Sequence, residues 1–370
     1  MRVLFLAQDI DLANRRGDSI HVVELARALT ALGHEIRLVT ATGSADAPVG
    51  LHHHRRPEDT LGQILQARKL ARGWADVIYE RRLSPKVAWA ASRLVAIPFV
   101  VEINGILDEE SKSHEAGGGA IRRKLRGHMI RRASLVVAVS EGIRDHLISA
   151  YDLASTKVAV VPNGANTSDF HPMDPQECRT KIGIPRSGHV VCFVGNLAEW
   201  QGLDQFLGAI RVVRADVPDI EVLIVGAGPE EHRLKSLAAE LGLDGIAHFV
   251  GPVPHEDVPK YINASDICVA PFVGRRKASP IKVFEYLACG RAVVATDVDE
   301  IGRFLRENRA GLVVPPDDPH ALSSAIRDLI EHPQEALAFG NSGRDVVLRT
   351  RSWDATARRL VSLLSTVIAN

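Results

Sequence analysis

Short runs of β-branched and apolar residues recur along the whole chain, each followed by an amphipathic stretch of helical length. This alternation limits the fold more than any other feature. In the first half the runs read RVLFLA, EIRLVT, DVIYE, PFVVEIN, LVVAVS and VAVVPNG; in the second, HVVCFVGN, IEVLIVGAG, IAHFVGPV, ICVAPF, RAVVATDV and GLVVPPDD. Nearly continuous apolar strands are buried on both faces, as in a parallel sheet covered by helices. The intervening SIHVVELARALTALG carries apolar residues at three- and four-residue steps and stops at Gly33, the signature of an amphipathic helix with a glycine end.

A polar, proline-rich stretch, PNGANTSDFHPMDPQE, interrupts the pattern after Pro162, and then the pattern restarts. With 370 residues, the chain suits two domains and not one core. The fold class expected is therefore α/β, with two doubly wound Rossmann-like domains. The expected boundaries are 1–165 for the first domain, 166–186 for a linker, 187–350 for the second domain and 351–370 for a closing amphipathic helix. Ligands of open parallel sheets bind beyond the carboxyl ends of the strands, so a cleft between the two domains is the default site. Neither VGNLAEWQG nor VGAGPEEHR completes a G-x-G-x-x-G after a strand, which disfavours a nicotinamide dinucleotide.

Composition narrows the class further. Lys plus Arg and Asp plus Glu are both 45, so bulk charge does not suggest a nucleic-acid partner. Cys178, Cys192, Cys268 and Cys289 are far apart and form no CxxC pair, as expected of reduced thiols in a cytoplasmic protein. MRVLFLAQDIDL reads as a first strand and not a secretion signal, and no apolar run approaches the roughly 18–20 residues that cross a bilayer. His52, His53 and His54 read as a polar loop, since they lack the spaced partners of a metal site.

The stretch SPIKVFEYLACGRAVVATDV carries the most chemistry. Ser279 is a good N-cap and Pro280 fits the first helical position. The amides of Ile281 and Lys282 would then face outward from the positive end of a helix, a natural anion site. Ile281, Phe284, Leu287 and Ala288 form a core face, and Lys282, Glu285 and Tyr286 lie towards another. A surface Lys282–Glu285 pair, worth only tenths of a kcal/mol, is the plainer alternative.

This helix resembles the signature helix of the large retaining glycosyltransferase family four, whose members have the GT-B fold. GDSIHVVELARALTALGHEIRLVT is similar to the family's glycine loop, first helix and second strand, and VVPNGANTSDF to its interdomain segment. CFVGNLAEWQGLDQFLGAI and LIVGAGPEEHRLKSLAAELGL resemble the opening of its nucleotide domain, and RSWDATARRL its closing helix, which crosses back to the first domain. The resemblance implies a nucleotide-sugar donor, UDP-linked by expectation, and a glycan, lipid-linked or small-molecule acceptor held by the first domain. It implies no metal and no separate cofactor. Glu285 would accept hydrogen bonds from the ribose hydroxyls, as a carboxylate can from two adjacent donors. Ser279, Pro280 and Ile281 would border the sugar and diphosphate; Gly17 and Gly226 would allow main chain close to the ligand; Val253 and Pro254 would lie near the base.

The family pattern is broken at four places. Its first motif Glu falls on Lys277, its usual Arg on Asn196, its usual loop Lys on Gln201, and a common His on Asn104. The leaving diphosphate still needs its developing charge stabilised, and Arg275, Arg276, Lys277 and Lys282 are the cations closest in sequence. Lys282, with Lys277 or Arg275, is expected to take over that work. Asn104 can hydrogen-bond a donor hydroxyl or orient an acceptor but cannot act as a base. Glu102, ahead of Asp108, Glu109 and Glu110, is expected at the acceptor. IRRKLRGHMIRR, residues 121–132, reads as a basic helix whose Ile121, Leu125, Met129 and Ile130 roughly share a face, suited either to peripheral contact with an acidic membrane or to a solvated charged face on a core-packed helix. Two rival readings remain open: a nucleotide-sugar 2-epimerase of the same architecture, and a sugar-nucleotide binder without turnover.

Overall fold

The computed structural model describes residues 1–13, 17–42, 51–106, 118–185, 187–274 and 277–369, with the backbone alone at 106, 118–120, 277 and 278. They fall into two compact units: Met1–Asn163 with Lys277–Ser279 and Trp353–Asn370, and Gly164–Arg276 with Pro280–Ser352.

In the first unit seven parallel strands form one sheet: β1 (Arg2–Ala7), β2 (Glu35–Thr40), β3 (His52–Arg55), β4 (Val77–Arg81), β5 (Phe99–Ile103), β7 (Leu135–Ala138) and β8 (Val158–Val160). Their order is β3-β2-β1-β4-β5-β7-β8, reversing direction at β1. The short β6 (Gly105–Ile106) leaves this sheet and pairs antiparallel with β13 (Lys277–Ala278). Side chains alternate between the two faces of a strand. Leu4, Leu6, Ile78, Val101 and Val136 therefore join one core with Ala67, Ala88, Ala91 and Ile130 from the covering helices. Phe5 and Tyr79 meet edge to face at 5.2 Å. The C-terminal helix Trp353–Ala369 lies against Gly17–Ala31.

His52, His53 and His54 form an edge strand and not the loop expected of them. Val39 stands opposite His54 in the β2–β3 ladder, and His53 Nε2 lies 2.7 Å from Thr40 Oγ1. An edge position asks for main-chain pairing and tolerates polar side chains, which periodicity does not register.

The second unit repeats the plan with β9 (His189–Val194), β10 (Ile220–Val225), β11 (Ala247–Gly251), β12 (Ile267–Ala270), β14 (Ala292–Thr296) and β15 (Gly311–Val314). These are parallel in the order β11-β10-β9-β12-β14-β15, so β9 is the reversal point. Val191, Phe193, Val222 and Val294 face one core; Val190, Cys192, Leu223 and Cys268 face the other. All four cysteines are buried and free.

Segment 166–186, expected as a linker, is part of this second unit. Phe170 and Cys178 are in its core, and helix Pro175–Ile182 packs on Val258–Ala264. Asn263 holds the strand of chain leading in, accepting from Met173 N at 3.0 Å and donating to His171 O at 3.0 Å. Its polar, proline-rich composition reflects these loops and caps and not a free connection.

Among the buried groups, Glu80 lies near the end of β4 with only 1% exposure. Its Oε2 accepts the Ala88 N–H at 2.7 Å, at the start of helix Lys86–Val95, while Oε1 finds no partner among the described residues. Burial pushes this carboxyl up to about 8, with the Ala88 amide and Arg82 opposing and Asp9 adding to the rise. The native chain therefore keeps a proton that the unfolded chain releases near pH 4.5, and stability falls as pH climbs from there through about 8. Glu80→Gln should remove that slope. Thermal unfolding should place the variant level with the parent near pH 4.5 and several degrees above it at about pH 8.

Candidate functional site

In each sheet the polar groups collect at the carboxyl ends of strands, where main chain must turn away and the crevice of an open parallel sheet lies.

In the first unit they centre on Glu102, at the end of β5 and only 2% exposed. His21 Nε2 lies 2.7 Å from Oε1, close enough to pair, though the ring N–H is not aligned on the oxygen. The Tyr79 hydroxyl donates to Oε2 and Asn104 Nδ2 to Oε1, with Arg81 Nε 3.7 Å from Oε1. Burial alone would raise this carboxyl, but His21, Arg81 and Tyr79 outweigh it and hold it at about 2. His21 in turn places Nδ1 2.7 Å from Asn163 Oδ1, and its ring meets Trp353 edge on at 5.3 Å. Glu102 is thus fully occupied inside the unit, which corrects its expected place at the acceptor. Asn104 is half-buried and keeps Oδ1 without a partner among the described residues. Asp108, Glu109, Glu110, Arg275 and Arg276 lie outside the described residues, as does the Lys277 side chain, whose backbone pairs with Ile106.

Ser279 does not cap the helix that follows it. Asn163 takes it instead: Nδ2 donates to Ser279 O at 2.6 Å, and the Asn163 N–H approaches Ser279 Oγ at 3.4 Å. The helix runs Ile281–Ala288 with Pro280 at the N-cap and no side-chain capping bond. Gly17 opens helix Gly17–Ala31, exposed, with nothing within 4 Å of an added Cβ; packing places no demand on that glycine.

In the second unit the β9–β12 ladder stops at Cys192 opposite Cys268. Tyr286 reaches the strand end beyond, its hydroxyl accepting the Val194 N–H at 2.7 Å. This binds helix Ile281–Ala288 to the end of β9 and puts the polar side chains of its first turns at the crevice. Lys282 is half-buried with its ammonium turned inward. Nζ stands 3.9 Å from the Phe193 ring centroid and donates to Gln201 Oε1 at 2.7 Å. Gln201 is only 2% exposed. Burial pushes the ammonium well below its usual value, against the pull of the Glu285 charge. The surface Lys282–Glu285 pair is therefore replaced by an enclosed Lys282–Gln201 contact.

Glu285 is 5% exposed. Its Oε1 pairs with His255 Nε2 at 2.8 Å, and Oε2 carries no hydrogen bond among the described residues. His255 follows the half-buried Val253 and exposed Pro254, in the 3-10 turn His255–Asp257, and its ring lies 5.0 Å from that of Phe170. Asn196 is half-buried on the loop after β9. Gly226 has φ +126°, and a Cβ there would fall 2.0 Å from Gly195 O. The close approach seen at Gly226 is thus to the protein's own main chain.

Two residues that organise these clusters, His21 and His255, were not among the expected site residues. His21 sits on a helix whose apolar spacing already explained it, and His255 is one residue beyond the VP pair after β11. The pairing of each with a glutamate 81 or 30 positions away in the chain leaves no local signal.

Two parallel α/β units of this strand order define a glycosyltransferase fold, GT-B. Sucrose-phosphate synthase from Thermosynechococcus elongatus shares it at TM-score 0.83, with 20% identity over 100% of this chain and 99% of that one. So does Anabaena Alr3699/HepE, solved in complex with UDP-glucose, at TM-score 0.81 and 19% identity over 99% and 100% of the two chains. Residues 16–169 match the model Glycosyltransferase Family 4, and 188–332 match Glycosyl transferases group 1. The D-inositol 3-phosphate glycosyltransferase of Frankia alni is 28% identical over 92% of each chain, and that of Nocardioides sp. 28% over 94% of this chain and 84% of its own. The chain belongs to glycosyltransferase family four.

His255→Ala would leave a buried carboxylate without its donor, at a cost of about 1–3 kcal/mol. Urea unfolding should register that loss, and His255→Gln, which keeps a donor, should recover much of it. Equal stability of the alanine variant and the parent would mean that Glu285 does not depend on His255.

Proposed function

We propose that this glycosyltransferase works in the cytoplasm and transfers a sugar from a UDP-linked donor with retention of anomeric configuration and without a metal ion. The acceptor is a glycan, lipid-linked or small molecule held by the first unit. The observation that carries this reading is the pair of groups on helix Ile281–Ala288: a buried carboxylate with one oxygen tied to His255 and the other unengaged, and an enclosed ammonium. The free oxygen of Glu285 suits two adjacent ribose hydroxyls. The Lys282 ammonium and the amides at the helix start suit a diphosphate, whose negative charge grows as the bond to the sugar breaks.

In a same-face displacement the bond from anomeric carbon to diphosphate oxygen breaks while the acceptor oxygen approaches from the same side. The departing phosphate then takes the acceptor proton, so no carboxylate base is required. That accords with a Glu102 fully occupied by His21, Tyr79 and Asn104. Asn104 Oδ1 remains available to orient a hydroxyl. UDP is chosen because Alr3699/HepE, of the same fold, was solved with UDP-glucose; the four buried thiols support a reducing compartment.

Lys282→Ala should lower kcat by about a hundredfold or more if the ammonium stabilises the leaving group. A near-parent rate would reduce it to a packing residue. A thermal-shift panel of UDP-, GDP- and dTDP-sugars should single out the UDP series. Proton NMR of the glycoside formed should show the donor's own anomeric configuration. Conversion of the donor with no acceptor present would point to an epimerase, and binding without any product to a non-catalytic protein.

A further inference from the structure

Gln8 is the first residue after β1 and Asn104 the first after β5, while Glu80 lies near the end of β4. The sheet order makes β1, β4 and β5 neighbours. Leu6 stands opposite Glu80 in one ladder and Arg81 opposite Glu102 in the other. The three side chains thus share the carboxyl edge of the first sheet, beside its reversal point.

Each has hydrogen-bonding capacity that the fold does not use. Gln8 is 2% exposed, yet neither Oε1 nor Nε2 has a partner among the described residues. No other side chain among them is buried with two such atoms. Glu80 Oε1 and Asn104 Oδ1 are partnerless in the same way. Gln8 does not complete Glu80, although their strands pair. Buried polar groups are nearly always satisfied, and an orphaned one costs stability.

The chemistry of the set is specific. Asn104 Nδ2 is committed to Glu102, so Asn104 offers only a carbonyl acceptor. Glu80 Oε2 accepts the Ala88 N–H and the carboxyl keeps its proton to about pH 8, which leaves an O–H donor on Oε1. Gln8 offers one acceptor and one donating group. A phosphate or carboxylate only accepts and would leave both carbonyl oxygens unmet. An ammonium only donates and would leave both donors unmet. A hydroxyl does both. Charge agrees, since Asp9 and Arg82 beside Glu80 are exposed and opposite in sign, and Arg81 Nε lies 3.7 Å from Glu102.

We propose that Gln8, Glu80 and Asn104 form a subsite for the ring hydroxyls of an uncharged polyol, the acceptor of the transfer. Only its being the acceptor rests on the function proposed above; recognition of a polyol follows from the edge itself. Such a site rejects a molecule without the matching hydroxyl, because its own groups then stay buried and unpaired. It stands where the crevice of an open parallel sheet takes its ligands.

The test is saturation-transfer NMR on the full chain with myo-inositol and methyl α-glucopyranoside as probes. At least one of them should receive saturation from the parent, with UDP-glucose present as without it, and inorganic phosphate should not displace it. Gln8→Met keeps the length of the side chain and removes both polar atoms. It should abolish the transfer and yet unfold a few degrees above the parent, because an orphaned amide has left the interior. Asn104→Ala should weaken the transfer several-fold. A methionine variant that unfolds below the parent overturns the proposal, since the amide would then be satisfied within the fold. So does transfer that survives in both variants, or that is absent from the parent. Displacement by phosphate would make this an anion site, and displacement by UDP-glucose a donor-sugar pocket; either overturns it. Calorimetry with UDP stands apart from these results. If UDP fails to bind the parent, the donor reading above falls, and the polyol result decides the subsite by itself.

Discussion

A parallel sheet covered by helices on both faces leaves polar side chains almost nowhere to go except the strand ends. Two buried carboxyls obey that constraint: Glu80 lies at the close of β4 and Glu102 at the close of β5. The crevice is therefore a consequence of burial, because the residues that cannot enter the apolar layers are swept to one edge. At the reversal point of the second sheet the ladder between β9 and β12 stops early, and the hydroxyl of Tyr286 takes up an amide that would otherwise be orphaned. One buried phenol thus fixes where the helix Ile281–Ala288 begins relative to the sheet, and with it Lys282 and Glu285.

The two buried glutamates of these edges are built differently. Glu102 receives hydrogen bonds on both oxygens and has the Arg81 guanidinium and the His21 ring close by, so it is held ionised to about pH 2. That arrangement favours a fixed structural charge, whose contribution to stability is full above about pH 4.5 and is lost as pH falls through about 2. Glu285 has one partnered oxygen and one open one. A half-satisfied buried carboxylate costs stability unless something completes it. The asymmetry separates a group satisfied within the fold from one that, under the proposed function, a ligand would complete.

Much of the fold was legible because hydrophobic period survives in the sequence. RVLFLA and HVVCFVGN could be nothing but buried strands, and Gly33 marked its helix end. The edge strand at His52 was illegible for the opposite reason, since an edge is specified by a neighbour's free backbone and not by its own side chains. Ser279 shows a second limit. Its residue type and the following proline argued for a cap, yet Asn163, 116 positions earlier, had the better claim on its carbonyl and hydroxyl. Helix and strand faces are local properties of the chain. Partners such as His21 for Glu102, or His255 for Glu285, are set by topology and leave no periodic trace.

Lys282 brings these threads together. An ammonium enclosed against Phe193, with a neutral amide as its hydrogen-bond partner, is an expensive group to keep charged. The Glu285 carboxylate offsets only part of that cost. A lysine with no purpose there would be replaced by a shorter apolar residue at a gain in stability. A dianionic group arriving at the helix start changes the balance, because it supplies the opposite charge that burial withholds, and at short range in a low dielectric. The ammonium would then be most strongly favoured when charge on the departing group is greatest. Under the proposed function Lys282 would stand in for the family cation lost from the loop after β9, and Gln201 accepts a hydrogen bond from its ammonium.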